Sequence, residues 1–265
     1  MTEAARGGLA PLHAWFDSYC ASFATEDAER QRNFDLKELH TRNVCAAARL
    51  IAQGGGARRL LLAEVVALCH DLGRFPQYRD YGTFKDSDSI NHAQLSAEIL
   101  KESGLLDFLP PDERQSVVTA VRLHNVYRLP AGLPAEAADL LRVVRDADKV
   151  DIWRVFIEYF AAPEGERASA AALGFPDLPL CSPQVLATLG AGEMVRLSVL
   201  ETLNDFKLLQ LSWVYDINFQ STLRLIKERG VLEQLAATLP KEEAVLHVLA
   251  RVQGYLESRV AGAVS

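Results

Sequence analysis

Six histidine and aspartate residues stand in the sequence where a helical protein normally carries apolar side chains. They are His40, His70, Asp71, His92, His124 and Asp146. Buried imidazole and carboxylate groups are costly unless they are paired or bound to a metal. Together they form a donor set that suits Fe, Mn, Co, Ni or Zn. The six residues therefore predict a metal site inside the protein.

Helical spacing is the reason to place these residues in the core. His40 lies one turn from both Leu36 and Val44, and His124 follows Val121 on its own apolar stripe. A single buried histidine is more often a satisfied core residue than a ligand. Several such stripes, each ending in a histidine or aspartate, favour a shared metal site over that simpler interpretation.

His70 and Asp71 are adjacent, so on a regular helix their side chains point about 100° apart. Both can reach one metal cluster if they stand at the end of the helix, where Gly73 stops it. A carboxylate in that position can bridge two metals with one oxygen each.

Helical periodicity dominates the chain, and no alternating run predicts a strand, so the expected fold class is all-α. The segment 60–72 is apolar nearly all round, which is typical of a buried central helix. Residues 74–90 are polar and aromatic without a period, and we expect a long loop there. Further helices are expected at 91–103, at 111–124 and at 140–160 with a break near Asp151. An irregular stretch at 162–192 with one short helix should follow, and then helices over 193–229 and 241–259.

The expected organisation is an N-terminal helix (1–29), a catalytic core (30–160) and a C-terminal helical extension (161–265) that packs on the core. The apolar helices of the extension are also a possible homodimer contact.

Composition narrows the function classes. The 265 residues are 49% hydrophobic and 24% charged, as in an ordinary globular protein. A net charge of −7 argues against a general nucleic-acid binder but not against a small anionic substrate. No signal peptide or spanning apolar run is apparent, so we expect a cytoplasmic protein without membrane association. The cysteines are far apart and form no C-x-x-C motif, which argues against a zinc ribbon or a disulfide framework.

The ordered set H…HD…H…H…D resembles the HD superfamily of metal-dependent phosphohydrolases, in particular its members with a two-metal site. The segments that carry the resemblance lie between Leu39 and Ile152 and read ELHTRNV, LCHDLGRFPQ, SINHAQLSAEIL, VRLHN and VRDADKVD. The HD dipeptide alone is a weak signal, whereas the ordered set in helical contexts is specific. The resemblance implies an HD-domain helical bundle.

Residue by residue, the resemblance implies one or two divalent metals, and Mg is a further candidate ion. By the same resemblance, the first metal is held by His40, His70, Asp71 and Asp146. Asp71 then bridges to the second, which His92 and His124 complete. A water or hydroxide activated by the metals is the implied nucleophile. The candidate catalytic residues are Asp71, Arg74 and Lys149, of which Arg74, after the HD dipeptide, and Lys149 are expected to contact phosphate. The expected substrate is a nucleotide or another small phosphorylated molecule.

The sequence departs from two branches of this superfamily. It resembles the HD-GYP cyclic-dinucleotide phosphodiesterases through HDLGRFP and HAQLSAEIL, but NVYRLPAGLP after His124 lacks the second histidine and the Gly-Tyr-Pro signature. The acidic pair of the alarmone hydrolases is missing too. The ligand set equally resembles the di-iron oxygenases of the superfamily, which oxidise a polyol or a phosphonate. A non-enzymatic sensor or adaptor is a third hypothesis.

Several other residues have two interpretations. A group in the 74–90 segment either lines the pocket mouth or belongs to a solvated loop: Tyr78, Tyr81, Phe84, Lys85 and Asp88. A second group closes over the active site or, as we favour, packs between helices: Trp213, Tyr215, Asp216, Asn218 and Phe219. Asp148 and Asp151 either orient the ligand histidines or are helix-surface charges. His13 and His247 have no motif context.

Overall fold

The computed structural model describes residues 8–262 and contains no β-strand in that range, which confirms the predicted all-α class. In chain order the helices are α1 (Leu9–Ala21), α2 (Ala28–Ala52), α3 (Gly56–Cys69), α4 (Arg74–Tyr81), α5 (His92–Ser103), α6 (Pro111–Leu123), α7 (Ala135–Ala161), α8 (Pro183–Gly190), α9 (Leu203–Ser212), α10 (Gln220–Glu228), α11 (Val231–Ala236) and α12 (Glu243–Ala261). Short 3-10 turns lie at Asp86–Asp88, Glu164–Glu166, Leu197–Val199 and Trp213–Asp216.

The chain forms two compact units. Unit 1 comprises residues up to Asp151 together with Ala168–Leu173, and unit 2 comprises Ile152–Arg167 together with the residues from Gly174 onward. The division therefore falls inside α7, whereas the sequence places the end of the core at residue 160.

Helix α3 is the centre of unit 1. Every residue from Leu62 to Cys69 is buried, as its all-round apolar sequence predicts. It packs against α1, α2 and α6. The helix ends at Cys69, so that His70 and Asp71 stand in the tight turn that leads to α4.

The segment 74–90 is not one long loop, because its first half forms α4. Phe75 and Tyr78 are buried there and pack against Phe34, so burial of aromatic rings stabilises a helix without a regular apolar stripe. Pro76 is tolerated because it lies in the first turn, where the backbone N–H needs no helical partner. The helix stops at Gly82, which is in the left-handed conformation with φ of 65°.

Helix α7 starts earlier than expected and has no break near Asp151. It runs without interruption from Ala135 to Ala161. Asp151 does not disturb the helix because its carboxylate is buried and accepts a hydrogen bond from His40 Nδ1 (2.8 Å).

Unit 2 is built around α9, whose residues are all buried. A capping box starts this helix, in which Thr202 and Asp205 accept hydrogen bonds from each other's backbone N–H groups. Helix α12 packs against α8 and α10. The stretch 162–192 is irregular with α8 as its α-helix, as predicted.

Within residues 8–262, none of the helices has both the length and the apolar composition that crossing a membrane requires.

Gly73 allows the turn after His70–Asp71 to lie directly on the backbone of α5. A Cβ atom at this position would lie 2.3 Å from the carbonyl oxygen of His92 and 2.9 Å from the amide nitrogen of Ser96. The Gly73 N–H also donates to Ser96 Oγ at 2.8 Å. The glycine is required by this close approach, since its own φ of −64° is ordinary.

We therefore expect Gly73→Ala to lower the free energy of unfolding by about 1–3 kcal/mol, because α5 has to move away from the turn. Gly254→Ala is the matched control. No atom outside its own helix lies near that position, and alanine in mid-helix should be neutral or stabilising by about 0.5–1 kcal/mol. Urea unfolding followed by circular dichroism measures both, and equal effects of the two substitutions would contradict the packing argument.

Candidate metal centre

Unit 1 brings five of the six sequence-predicted residues together. His40 comes from the middle of α2, His70 and Asp71 from the turn after α3, His92 from the start of α5 and His124 from the residue after α6. None of the five is more than 4% exposed. Five polar side chains from four parts of the fold thus converge in the interior.

The carboxylate of Asp71 divides this cluster into two halves. Its Oδ2 atom lies 3.7 Å from the Nε2 atoms of both His40 and His70. Its Oδ1 atom lies 3.4 Å from His92 Nε2 and 3.7 Å from His124 Nε2. Each oxygen of one carboxylate therefore faces its own pair of imidazoles.

The carboxylate that α7 contributes is that of Asp148, not Asp146. Asp148 Oδ1 lies 3.1 Å from His40 Nε2 and 3.8 Å from His70 Nε2. Residues two apart on a helix point about 200° away from each other, so only one of the two can face the histidines. Asp146 is fully buried as well. Within residues 8–262 Asp146 belongs to neither group of potential metal ligands, so of the two aspartates it is Asp148 that the structure brings to the histidines.

Each histidine is fixed through its Nδ1 atom. His70 Nδ1–H donates to the Ala67 carbonyl (2.6 Å) and His124 Nδ1–H to the Val121 carbonyl (2.8 Å). His40 and His92 instead pair with carboxylates: His40 Nδ1 lies 2.8 Å from Asp151, and His92 Nδ1 lies 2.8 Å from Asp86. An acceptor at Nδ1 holds the proton there, so in the neutral form each of the four imidazoles presents its Nε2 lone pair to the cluster.

These lone pairs fit a metal ion. His40 Nε2 and His70 Nε2 are buried and make no hydrogen bond. His92 Nε2 and His124 Nε2 lie only 3.1 Å apart, so their two lone pairs need a cation or a proton close by. Within the described residues, two groups of ligand atoms could hold an ion: His40, His70 and Asp148, and His70, Asp71 and His124.

The pKa values of most histidines in the site favour the neutral imidazole, which is the form that binds a metal. Burial lowers the pKa of His70 below its ordinary value, and burial together with Arg74 lowers that of His92 to about 4. Burial and the neighbouring His70 lower the pKa of His124 to about 4. Three imidazoles are therefore neutral near pH 7, as metal ligation requires. The exception is His40, because burial and Lys37 lower its pKa but the neighbouring carboxylates of Asp148 and Asp151 outweigh them and raise it.

Asp71 stays ionised although it is buried. Burial by itself raises the pKa of this carboxyl, but Lys37, His70 and Arg74 outweigh burial and hold the pKa well below its ordinary value. The centre of the site is thus a fixed negative charge.

Two cations flank that charge on opposite oxygens. Lys37 Nζ lies 2.9 Å from Asp71 Oδ2, and Arg74 Nε lies 3.6 Å from Asp71 Oδ1. Both cations also lie over the ring of Phe84, at 5.1 Å for Lys37 and 5.8 Å for Arg74. Sequence analysis missed Lys37, although its position one turn before His40 on α2 was a usable signal. Lys149 is buried in α7, directly after Asp148.

The segment between α4 and α5 contains a second residue that sequence analysis missed. Asp86 contacts His92. Asp88, the sequence-based candidate in this segment, instead forms an exposed ion pair with Lys85 (3.0 Å). A carboxylate six residues before a ligand histidine, in a segment without periodicity, was the available signal.

The other candidate residues of the 74–90 segment differ in how exposed their side chains are. Phe84 is buried beside the two cations, Tyr78 packs 5.0 Å from Phe84, and Tyr81 is exposed.

The remaining candidate residues lie outside the cluster, where they pack against other rings, form an ion pair or are exposed. Trp213 packs 6.0 Å from Trp153 and Tyr215 packs 4.8 Å from Tyr255, which agrees with the helix-packing interpretation for that group. His13 pairs with Glu64 (2.8 Å), and His247 is exposed on α12.

In the comparison with known families, residues 39–153 fit the family model described as "HD domain". Comparisons with curated proteins and with solved structures returned no significant match. The matched residues contain the whole His/Asp cluster and run from the second half of α2 into α7.

Residues 39–153, less than half of the chain, are therefore similar to the HD domain, whose family consists generally of metal-dependent phosphohydrolases. The domain implies binding of divalent metal, and the cluster of buried histidines and aspartates offers the ligands for it.

The position of Asp148 generates a prediction that separates it from Asp146. We expect Asp148→Asn to weaken metal binding clearly, because the carboxylate that faces His40 and His70 becomes a neutral amide. Asp146→Asn should leave the affinity close to that of the wild type.

Calorimetric titration of chelator-stripped protein with Mn²⁺ measures the affinity, and circular dichroism checks that each variant is folded. Loss of binding in Asp146→Asn with retention in Asp148→Asn would restore the sequence-based assignment.

Proposed function

We propose that the protein is a metal-dependent phosphohydrolase that cleaves a nucleotide or another small phosphoester. The observation that carries this proposal is the pair of cations, Lys37 and Arg74, on opposite oxygens of the buried Asp71 carboxylate. The neighbouring histidines and aspartates would hold divalent metals, and these would supply the Lewis acidity that activates water and offsets phosphoryl charge. Fe, Mn, Ni, Co, Zn and Mg are the candidate ions.

The division of the cluster supports two metals rather than one. His40, His70 and Asp148 surround the Oδ2 side of Asp71, and His92 and His124 surround the Oδ1 side. A carboxylate that faces two separate ligand groups is suited to bridge two ions.

The charge balance of the site supports an anionic substrate. Among the described residues, the contacts of the cluster given above involve four carboxylates: Asp71, Asp86, Asp148 and Asp151. Lys37 and Arg74 offset two of these negative charges. Two divalent ions would turn the remaining excess of two negative charges into an excess of two positive charges, which matches a phosphate dianion.

Within this proposal, Lys37 and Arg74 bind and orient the phosphoryl group. Arg74 is suited to do so because other groups fix its guanidinium while its Nε–H is buried without a hydrogen-bond partner. A phosphate oxygen would satisfy that donor. Lys149 keeps the role of a second basic candidate that the family resemblance gives it.

The direct test is phosphate release by metal-reloaded protein. We expect turnover with at least one of Mn²⁺, Fe²⁺, Ni²⁺ and Mg²⁺ on a panel of nucleotides, dinucleotides and generic phosphoesters. The double variant His70→Ala/Asp71→Ala should lose it, because both halves of the site lose a ligand.

Absence of phosphate release with every metal, from protein whose bound metal is verified, would refute the hydrolase proposal. Oxygen consumption by the iron-loaded protein with a polyol or a phosphonate would then favour the oxygenase alternative. Inactivity in both assays would favour the sensor hypothesis.

Lys37 provides a sharper test of how the substrate is held. We expect Lys37→Gln to lower kcat/KM by about 10–100-fold, because a charge-assisted contact to the substrate contributes on the order of 1.5–3 kcal/mol. Lys37→Arg keeps the positive charge and should retain more activity than Lys37→Gln.

Lys101→Gln is the control, since Lys101 is exposed near the far end of α5 and outside the cluster. Steady-state kinetics on the best substrate of the panel gives the comparison. Equal kcat/KM values for Lys37→Gln and Lys101→Gln would remove Lys37 from the substrate site.

A further inference from the structure

Asp86 occupies the centre of a hydrogen-bond network beside the metal centre. The residue starts the single turn Asp86–Asp88 between α4 and α5. Its Oδ1 accepts from Arg74 (3.1 Å) and from Gln77 Nε2 (2.9 Å), and its Oδ2 accepts from Asn125 Nδ2 (3.0 Å). His92 Nδ1 lies 2.8 Å from both oxygens.

Arg74 and His92 share not only Asp86 but also Asp71. His92 Nε2 lies 3.4 Å from Asp71 Oδ1, and Arg74 Nε lies 3.6 Å from the same oxygen. The four side chains therefore form a closed ring in which a cation and an imidazole alternate with two carboxylates. A change in the position or charge of one member is felt by both of its neighbours.

The two halves of the metal centre are oriented by different carboxylates. Asp151, in the continuous helix α7, fixes His40. Asp86, in a one-turn segment, fixes His92. Only the second of these carboxylates also holds the arginine that faces the anion site.

We propose that Asp86 is a positioning residue that couples anion binding at Arg74 to metal binding at the His92–His124 half of the centre. The inference rests on the proposed function for its anion. When an anion oxygen takes the free Nε–H of Arg74, the guanidinium shares its charge with that anion. Asp86 then accepts more strongly from His92 Nδ1–H, which makes His92 Nε2 a better ligand. Coupling between two binding sites is reciprocal, so metal in this half also tightens anion binding.

The experiment is a calorimetric titration of chelator-stripped, full-length protein with Mn²⁺, with and without inorganic phosphate. We expect the wild type to bind two equivalents and phosphate to tighten one of them. In Asp86→Asn that equivalent should weaken by about 10–100-fold, the usual effect of losing the partner of a ligand histidine. Its tightening by phosphate should also fall, and the other equivalent should keep its affinity.

Asp88→Asn is the matched control. It removes the same charge from the same turn, but Asp88 is 53% exposed and pairs with Lys85. Asn125→Ala is the second variant, because it removes an outer hydrogen bond of Asp86, together with one to Asn91 Oδ1 (3.2 Å), from an exposed residue and should fold. We expect Asp88→Asn to match the wild type and Asn125→Ala to weaken the same equivalent less than Asp86→Asn does.

Several results would overturn the coupling: one metal equivalent in the wild type, equal weakening of both equivalents in Asp86→Asn, or the same loss in Asp88→Asn. Unchanged phosphate linkage in folded Asp86→Asn would overturn it as well. These titrations need no turnover, so they stand apart from the hydrolase test. Active protein without the linkage refutes only the coupling, and linkage without turnover refutes only the hydrolase proposal.

Discussion

The arrangement of unit 1 depends on one buried negative charge, that of Asp71. A carboxylate in a protein interior costs several kcal/mol unless surrounding groups compensate for it. The ammonium of Lys37 on α2 and the guanidinium of Arg74 on α4 do so here. Four imidazoles from α2, the turn after α3, α5 and the end of α6 surround the same carboxylate. The helices thus converge on a point that must remain polar, and the close contact at Gly73 keeps α5 next to it.

Sequence analysis located most of this site because its residues follow helical spacing. His40 and His124 each share an apolar stripe with a buried valine, Val44 and Val121 respectively, so their direction could be read from the period. The all-round apolar pattern of α3 likewise identified the central helix. These features are local, and local periodicity is what a single sequence records well.

The sequence-based expectations differ from the structure where the apolar periodicity carries little information. Helix α7 is buried on most sides near Asp148, with Val143, Val144, Ala147 and Val150 all in the core, so the apolar pattern does not tell which aspartate faces the histidines. Helix α4 is stabilised by aromatic burial rather than by a stripe, and the network of Asp86 follows from that helix and the turn after it. Lys37 resembles a solvated lysine in the sequence, because its contact with Asp71 joins residues 34 positions apart.

The manner in which the Nδ1 protons are held has an evolutionary consequence. His70 and His124 donate to backbone carbonyls three residues earlier, at positions 67 and 121. Any residue supplies a carbonyl, so those two positions can drift without altering the tautomer of the ligand. His40 and His92 rely on the side chains of Asp151 and Asp86 instead. Selection therefore has to preserve these two pairs jointly, with partners 111 residues apart in one case and six in the other.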